Sequence, residues 1–189
     1  SMFARVAFFL ALLWCGAVFA ASPALDGAGT AIKNFGTWTS ATVTLTTTLT
    51  NDVVCVAAYM AKFPTASRPA ISSVTGASLT WAARGTPIGA DWGGVWFTNK
   101  ELWCAAAPSA LGAEVITVNF STATEVNLIA FGVNGVFSTA APWDSNISLP
   151  ASNSAASGTV TVSGISTTQS DDLVIFHCGD QSASNCSSP

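Results

Sequence analysis

The sequence predicts an all-β protein: an antiparallel two-sheet β-sandwich, jelly-roll or immunoglobulin-like, of about eight to nine strands behind an N-terminal signal helix. Three observations predict it. Runs that alternate apolar and hydroxyl residues recur along the chain, SATVTLTTTLT being the clearest, and period-two alternation marks a strand with one wet face. Such runs lead through a polar turn into more continuously apolar ones, such as NDVVCVAAYM, which fit strands covered on both faces. Beyond Ala20 there is almost no helical periodicity, while Gly, Asn, Ser and Pro punctuate the chain at the spacing of sandwich turns.

The first element is a targeting segment. Arg5 precedes an apolar stretch from Val6 to Trp14, and Val18-Phe19-Ala20 supplies a small-residue exit. This is the layout of a secretory signal peptide, and the run is shorter than the ~20 residues a spanning helix needs. Residues 1–20 are therefore read as a cleaved signal, with an uncleaved anchor as the alternative. Cys15 follows Trp14, which is too large for a lipoprotein cleavage site. Residues 21–189 are read as a single β-sandwich domain with a flexible leader at Ala21–Gly29. Its last apolar run, Leu173–Cys178, has no obvious closing neighbour, so a domain truncated at the C-terminus is expected.

Within the domain one unit occurs three times. SATVTLTTTLT leads to NDVVCVAAYM, AEVITVNFS to EVNLIAFGV, and SGTVTVSGIS to DDLVIFHC. In these, Val43 and Leu45, then Ile116, Val118 and Phe120, then Val160 and Val162, are assigned to the inward face, and Thr42, Thr44 and Thr46 to the outward one. Asp52, Glu125 and Asp172 open the second runs and are read as solvated turn residues that discourage edge pairing. Between the first two units lie strands at Ile71–Val74, Leu79–Arg84 and Lys100–Ala106, with Gly85–Gly94 as a glycine-rich loop. Ala105–Leu111 has room for one short helical turn.

Composition excludes some partners. Only 8% of residues are charged, and loss of Arg5 with the signal leaves five basic residues against ten acidic. No basic cluster exists, so neither nucleic acid nor an anionic membrane surface is an expected partner. Membrane contact is expected only through the N-terminal segment, if it stays uncleaved. Cys55, Cys104, Cys178 and Cys186 remain after cleavage, an even number in a chain bound for an oxidising compartment. Cys178 and Cys186 enclose a short polar loop and are the favoured pair. Cys55 and Cys104 lie in apolar runs, as bridged neighbours or buried thiols, and three pairings stay open. With a single histidine and no C-x-x-C spacing, no metal site is expected from these residues.

Over the region after the signal, the elements TVTLTTTLTNDVVCV, ASLTW, KELWCAAAPSALGAEVITVNFS and APWDSNISLPA resemble Thr-rich bacterial and phage-associated β-sandwich surface proteins of uncharacterised function. The resemblance implies a structural or adhesive role on a cell or virion exterior. It carries no catalytic residues. A secretion signal favours an exported bacterial protein over a virion part assembled in the cytoplasm.

Candidate chemistry is sparse. His177 ends an apolar run beside Cys178, and strand neighbours point to opposite faces, so a structural histidine is expected rather than a nucleophile–base pair. Asp91, Glu101, Glu114, Glu125 and Asp144 are scattered; Asp91 and Glu101 would have to converge for glycoside hydrolysis. Asp144 with Asn146, and Asp171 with Asp172, offer oxygen ligands for a weak structural calcium, though Asp144 fits an Asx turn better. No other cofactor is expected. Asn119, Asn146 and Asn185 open N-x-S sequons that matter only in a glycosylating host. Trp81 and Trp103 are assigned to the core and Trp143 to a loop anchored on it. Trp92 and Trp96 flank Gly93-Gly94, where they either plug the end of the sandwich or stack on a sugar ring. The expected function is a non-catalytic, secreted or surface-displayed structural or adhesive module whose partner is a protein or a glycan. A carbohydrate-binding module is the alternative, and a jelly-roll glycoside hydrolase the second.

Overall fold

The most apolar run becomes the middle of the sheet. β2 (Asp52–Lys62) is buried at every residue from Asp52 to Ala61, because it is paired on both edges and covered on both faces. A computed structural model describes residues 22–63, 67–94, 96–136, 138–154 and 161–177, the side chains of 32–37 and 92 excepted. Residues 1–20, read from the sequence as a signal, Val160, and Cys178 with Cys186 lie outside these residues. Among the described residues all regular structure is β, and no helix is long and apolar enough to cross a membrane.

The other strands are β1 (Ala24–Leu45), β3 (Ile71–Thr75), β4 (Ala82–Ile88), β5 (Asp91–Trp92), β6 (Trp96–Ala107) and β7 (Glu114–Asn134). They form one antiparallel seven-stranded sheet, not closed, in the order β1-β7-β2-β6-β4, with β3 added to β7 and β5 to β6. Two strands are unusually long, β1 at 22 residues and β7 at 21, and they pair along their whole lengths. The ribbon bends at its middle. The register shifts between Lys33 and Trp38 on β1 and between Thr124 and Asn119 on β7.

The bend gives β7 two second partners. Residues 117–120 pair with β3, whereas residues 125–133 pair with β2. It also brings the two halves of β1 together. A Cβ at Gly27 would run into the carbonyl oxygen of Thr46, and one at Gly29 into that of Thr44. Only glycine permits this approach, and Gly27 also adopts a φ of 83° that side chains disfavour.

The doubled ribbon encloses the main core. Val43, Leu45, Val54, Val56, Met60, Ile116, Val118, Val126 and Leu128 are buried together in one cluster. Val43 lies opposite Ile116 on adjacent strands, so the inward assignments for the first two units hold. A smaller cluster occupies the other face of β2: Val53, Cys55, Ala57, Cys104, Phe131 and Val133, with Leu102 and Val136 against it.

Several boundaries differ from the sequence reading. β1 begins at Ala24, inside the supposed leader, because β7 gives it a partner. The strand expected at Leu79–Arg84 appears as β4, which runs on into the glycine-rich loop; that loop also holds β5, and β6 pairs with both. No helical turn forms at Ala105–Leu111, where β6 runs to Ala107 and bends follow. In the third unit, residues 161–177 carry no strand. Alternation states which face a strand would bury, but a strand exists only where a neighbour takes its hydrogen bonds. Asp52 is no solvated gatekeeper; it is 0% exposed.

Candidate functional site

The aromatic end of the β2–β6 ladder is the best-defined candidate. Lys62 and Phe97 are the last partners of that ladder, so Phe63 and Trp96 occupy the next rung on the face that holds Cys55 and Cys104. Their rings stack with centroids 4.8 Å apart and planes inclined by 27°. Phe63 is 49% exposed and Trp96 half-buried, so this is a surface stack and not a plug in the core. Trp92 is the backbone partner of Trp96 in the β5–β6 hairpin, across the turn that contains Gly93 and Gly94. The glycines have φ values of 57° and 69°, the left-handed geometry that a tight hairpin loop demands. Sequence reasoning found Trp96 but missed Phe63, whose role follows from register alone.

Ionic and hydrogen-bonding groups brace this end. Arg68 makes a 2.8 Å ion pair with Asp91. Thr98 Oγ1 donates to the Ala90 carbonyl and accepts from the Ala90 amide, fixing β5 beside β6. Lys62 Nζ donates to Thr122 Oγ1 at the bend of β7. Both described partners in the Arg68–Asp91 pair are partly exposed, so the bond contributes little to stability and serves mainly to place the loop.

Cys55 and Cys104 are direct cross-strand partners and form a disulfide, with Cα atoms 4.1 Å apart. That spacing belongs to a non-hydrogen-bonded antiparallel pair, where side chains approach most closely. The same face of the same two strands is therefore crossed twice, by the disulfide and by the aromatic stack. The favoured Cys178–Cys186 pairing falls outside the described residues.

Glu101 and Asp91 are engaged by separate partners. Glu101 lies buried within β6 rather than at a solvated strand opening. Its Oε1 accepts from the Ile71 amide at 3.0 Å and Asn99 Nδ2 at 3.1 Å, and its Oε2 from Trp103 Nε1 at 3.1 Å. Asn99 Nδ2 also donates to the Pro69 carbonyl. Glu101 and Asn99 thus tether the start of β3 to β6, whereas Asp91 is committed to Arg68. Glu114 lies at one end of the ribbon, facing Leu45 across the β1–β7 ladder, and Glu125 lies at its bend, paired with Ala61 of β2.

Asp144 makes the Asx turn, accepting from the Asn146 amide at 2.6 Å. Its other oxygen accepts from the amide and hydroxyl of Thr168 at 2.6 and 2.7 Å. The hydroxyl and amide of Thr168 and the amide of Asn146 hold the carboxyl far below the usual carboxylate range. Asp172 also reaches Asp144, so the two segments considered for calcium do meet. Both Asp144 oxygens are already occupied by protein donors. Among the described residues no group of three or more metal-ligating side chains occurs.

His177 is held at about 4, first by burial and then by the nearby charge of Lys100. It serves as a neutral packing group rather than a proton carrier at neutral pH. Cys178 is outside the described residues. Trp81 and Trp103 pack against the main core, with Trp81 Nε1 donating to the Gly76 carbonyl. Trp143 is not anchored on the core; it lies at the surface beneath the Arg84 guanidinium, 4.8 Å from its ring centre. The sequon residues Asn119 and Asn146 use their amides on Ser73 Oγ and the Ser166 carbonyl.

No protein-family model, no curated protein and no solved structure matches this chain.

Proposed function

We propose that the chain is a non-catalytic, secreted or surface-displayed structural or adhesive module of the β-sandwich type, jelly-roll or immunoglobulin-like. The bent β1–β7 ribbon, which places β3 and β2 on different halves of β7, supports the two-layered reading. A disulfide between adjacent strands suits an oxidising exterior. The observation that carries the adhesive reading is the Phe63–Trp96 stack, a surface aromatic pair presented by the end of a disulfide-crossed ladder. Aromatic surface held on rigid strands binds with little loss of side-chain freedom.

The same stack favours a second reading, a carbohydrate-binding module, because a flat aromatic face packs against the apolar face of a sugar ring. The partner would be a glycan instead of a protein. Glycoside hydrolysis is the weakest reading, since Glu101 and Asp91 serve separate partners.

The test is binding of the full chain, exported through its own N-terminal segment, to a glycan array, with a Trp96→Ala variant alongside. Selective binding that drops at least about tenfold in the variant, roughly 1.4 kcal/mol, supports the glycan reading. Absence of glycan binding, together with Trp96-dependent attachment to cells, supports protein adhesion. Failure of both arms with a folded variant removes the aromatic stack as the binding surface.

A further inference from the structure

The end of the molecule opposite the aromatic stack holds a second pair of carboxyl groups, and neither is placed as a surface acid would be. Asp26 lies in the first half of β1 and Asp52 opens β2. The Asp26 carboxylate collects the turn that joins these strands. Its Oδ1 accepts from the Thr48 amide at 3.0 Å and hydroxyl at 2.8 Å, and its Oδ2 from the amides of Thr48 at 2.9 Å and Leu49 at 2.7 Å. Asp52 is the more deeply buried of the two. Its Oδ1 accepts from Asn134 Nδ2 at 2.7 Å, and Asn134 also donates to the Thr50 carbonyl.

The second oxygen of Asp52 is the anomaly. Oδ2 is buried and meets no donor in hydrogen-bonding geometry, although the Thr47 hydroxyl and Asp26 both lie close to the carboxyl. A buried carboxylate oxygen without a donor is costly, and two ionised carboxylates side by side are costlier still. Among the described side chains no cation relieves them: Lys62 is on Thr122, Arg68 on Asp91, Arg84 over Trp143 and Lys100 beside His177. A hydrogen on Asp52 Oδ2 resolves both problems at once, because it turns the orphaned acceptor into a donor toward Asp26.

We propose that Asp26 and Asp52 share one proton, and that the pair is a pH-sensitive latch tying the first half of β1 to the β1–β2 turn. The proton resides on Asp52 Oδ2 and is donated to an Asp26 oxygen, so one negative charge remains and it sits among the amides of Thr48 and Leu49. The groups facing the pair are Thr47 and Thr48 from the turn and Asn134 from β7, all neutral.

The electrostatics agree with this assignment. Burial pushes the Asp52 carboxyl up, against the hydrogen bonds from Asn134 and Thr47, and the Asp26 charge adds to the rise. Burial would raise Asp26 too, but the Leu49 and Thr48 donors outweigh it and hold that carboxyl below its ordinary value. The stabilisation from Asp52 is therefore complete at low pH and is lost as pH rises through its raised value. The part from Asp26 is lost as pH falls below the ordinary carboxylate range. The latch is closed between those limits and loosens above them, where both groups ionise.

The test compares the full chain with its Asp52→Asn variant by thermal unfolding in EDTA between pH 4 and 8, with carboxyl carbon NMR titration of the wild type. Asparagine supplies a permanent donor at the proton's position. The expected result is a variant midpoint higher than wild type at pH 8, with the gap shrinking toward pH 4, and a wild-type Asp52 signal titrating above Asp26. A variant equally destabilised at pH 4 and 8 would overturn the proposal, as would an Asp52 signal titrating at or below the ordinary carboxylate value. Calcium in place of EDTA is the third arm. A rise in the wild-type midpoint that the variant lacks would mean a bridging cation instead of a proton. If the variant does not fold, the titration of the wild type decides alone.

Discussion

Residues 24–134 and 138–177 draw on the same stock of Val, Ile, Ser and Thr, yet only the first region carries strands among the described residues. In the first, β2 is buried along almost its whole length, and alternate residues of β7 enter the core. In the second, Ile147 is 101% exposed and Phe176 57%. The hydrogen bonds differ in kind as well. The first region is held by backbone ladders, whereas the second is cross-braced by side chains: Asp144 to Thr168, Asn146 to Ser166, and Asn153 to the Thr161 carbonyl. Even the aspartates do parallel work, Asp26, itself buried, collecting amides of the β1–β2 turn and Asp144 collecting amides of Asn146 and Thr168. A strand is a property of a pair of segments, and an apolar alternating segment without a ladder partner leaves its side chains in water.

The sharpest way to break this comparison is to delete matched side chains. Ile116 is 0% exposed and Ile147 is fully exposed. Ile116→Ala should cost about 2–5 kcal/mol in chemical denaturation, because it leaves a cavity in the main core. Ile147→Ala should stay within ~0.5 kcal/mol. Similar losses at both positions would mean that residues 138–177 are packed as firmly as the strands.

The Cys55–Cys104 bond should come next. It closes a separation of 49 residues, and a Cys55→Ala/Cys104→Ala double variant should lose about 2–4 kcal/mol relative to the oxidised parent. Since the bond crosses the outer face of β2 and β6, amide exchange should accelerate most along those strands. Faster exchange confined to 161–177 would contradict the placement of the bond within the strand region.

The smallest effect concerns the contact between the two regions. His177 is held at about 4 against an ordinary 6.5, so the folded state prefers the neutral ring. Its contribution is fully present above the ordinary value and is lost as pH falls from 6.5 toward 4. Thermal midpoints should therefore drop by a few degrees across that interval, after subtraction of the same curve for His177→Gln. Identical curves would show that the His177 ring is not buried in the folded chain.

Much of the sheet was legible beforehand. The inward positions at Val43, Leu45, Ile116 and Val118 follow from alternation, and the continuous run at β2 from its lack of alternation. Trp81 and Trp103 were correctly assigned to the core. The third unit carried the same pattern and misled, since periodicity holds no information about partners. Phe63 escaped notice because its pairing with Trp96 depends on a register set by residues more than thirty positions away. Glu101 and Asp52 looked like ordinary strand-opening acids; their burial comes from Asn99, Ile71 and Asn134, which lie beside them only after folding.

By itself the sequence determined the all-β character, the dual-faced burial of β2 and the scarcity of charge. These are local properties, carried by side-chain period and hydrophobicity. The tertiary structure alone decided which strands pair, where the β1–β7 ribbon bends, which cysteines meet, and which carboxyl groups are buried together. Those outcomes depend on contacts between distant residues, whose energies no single window of sequence contains.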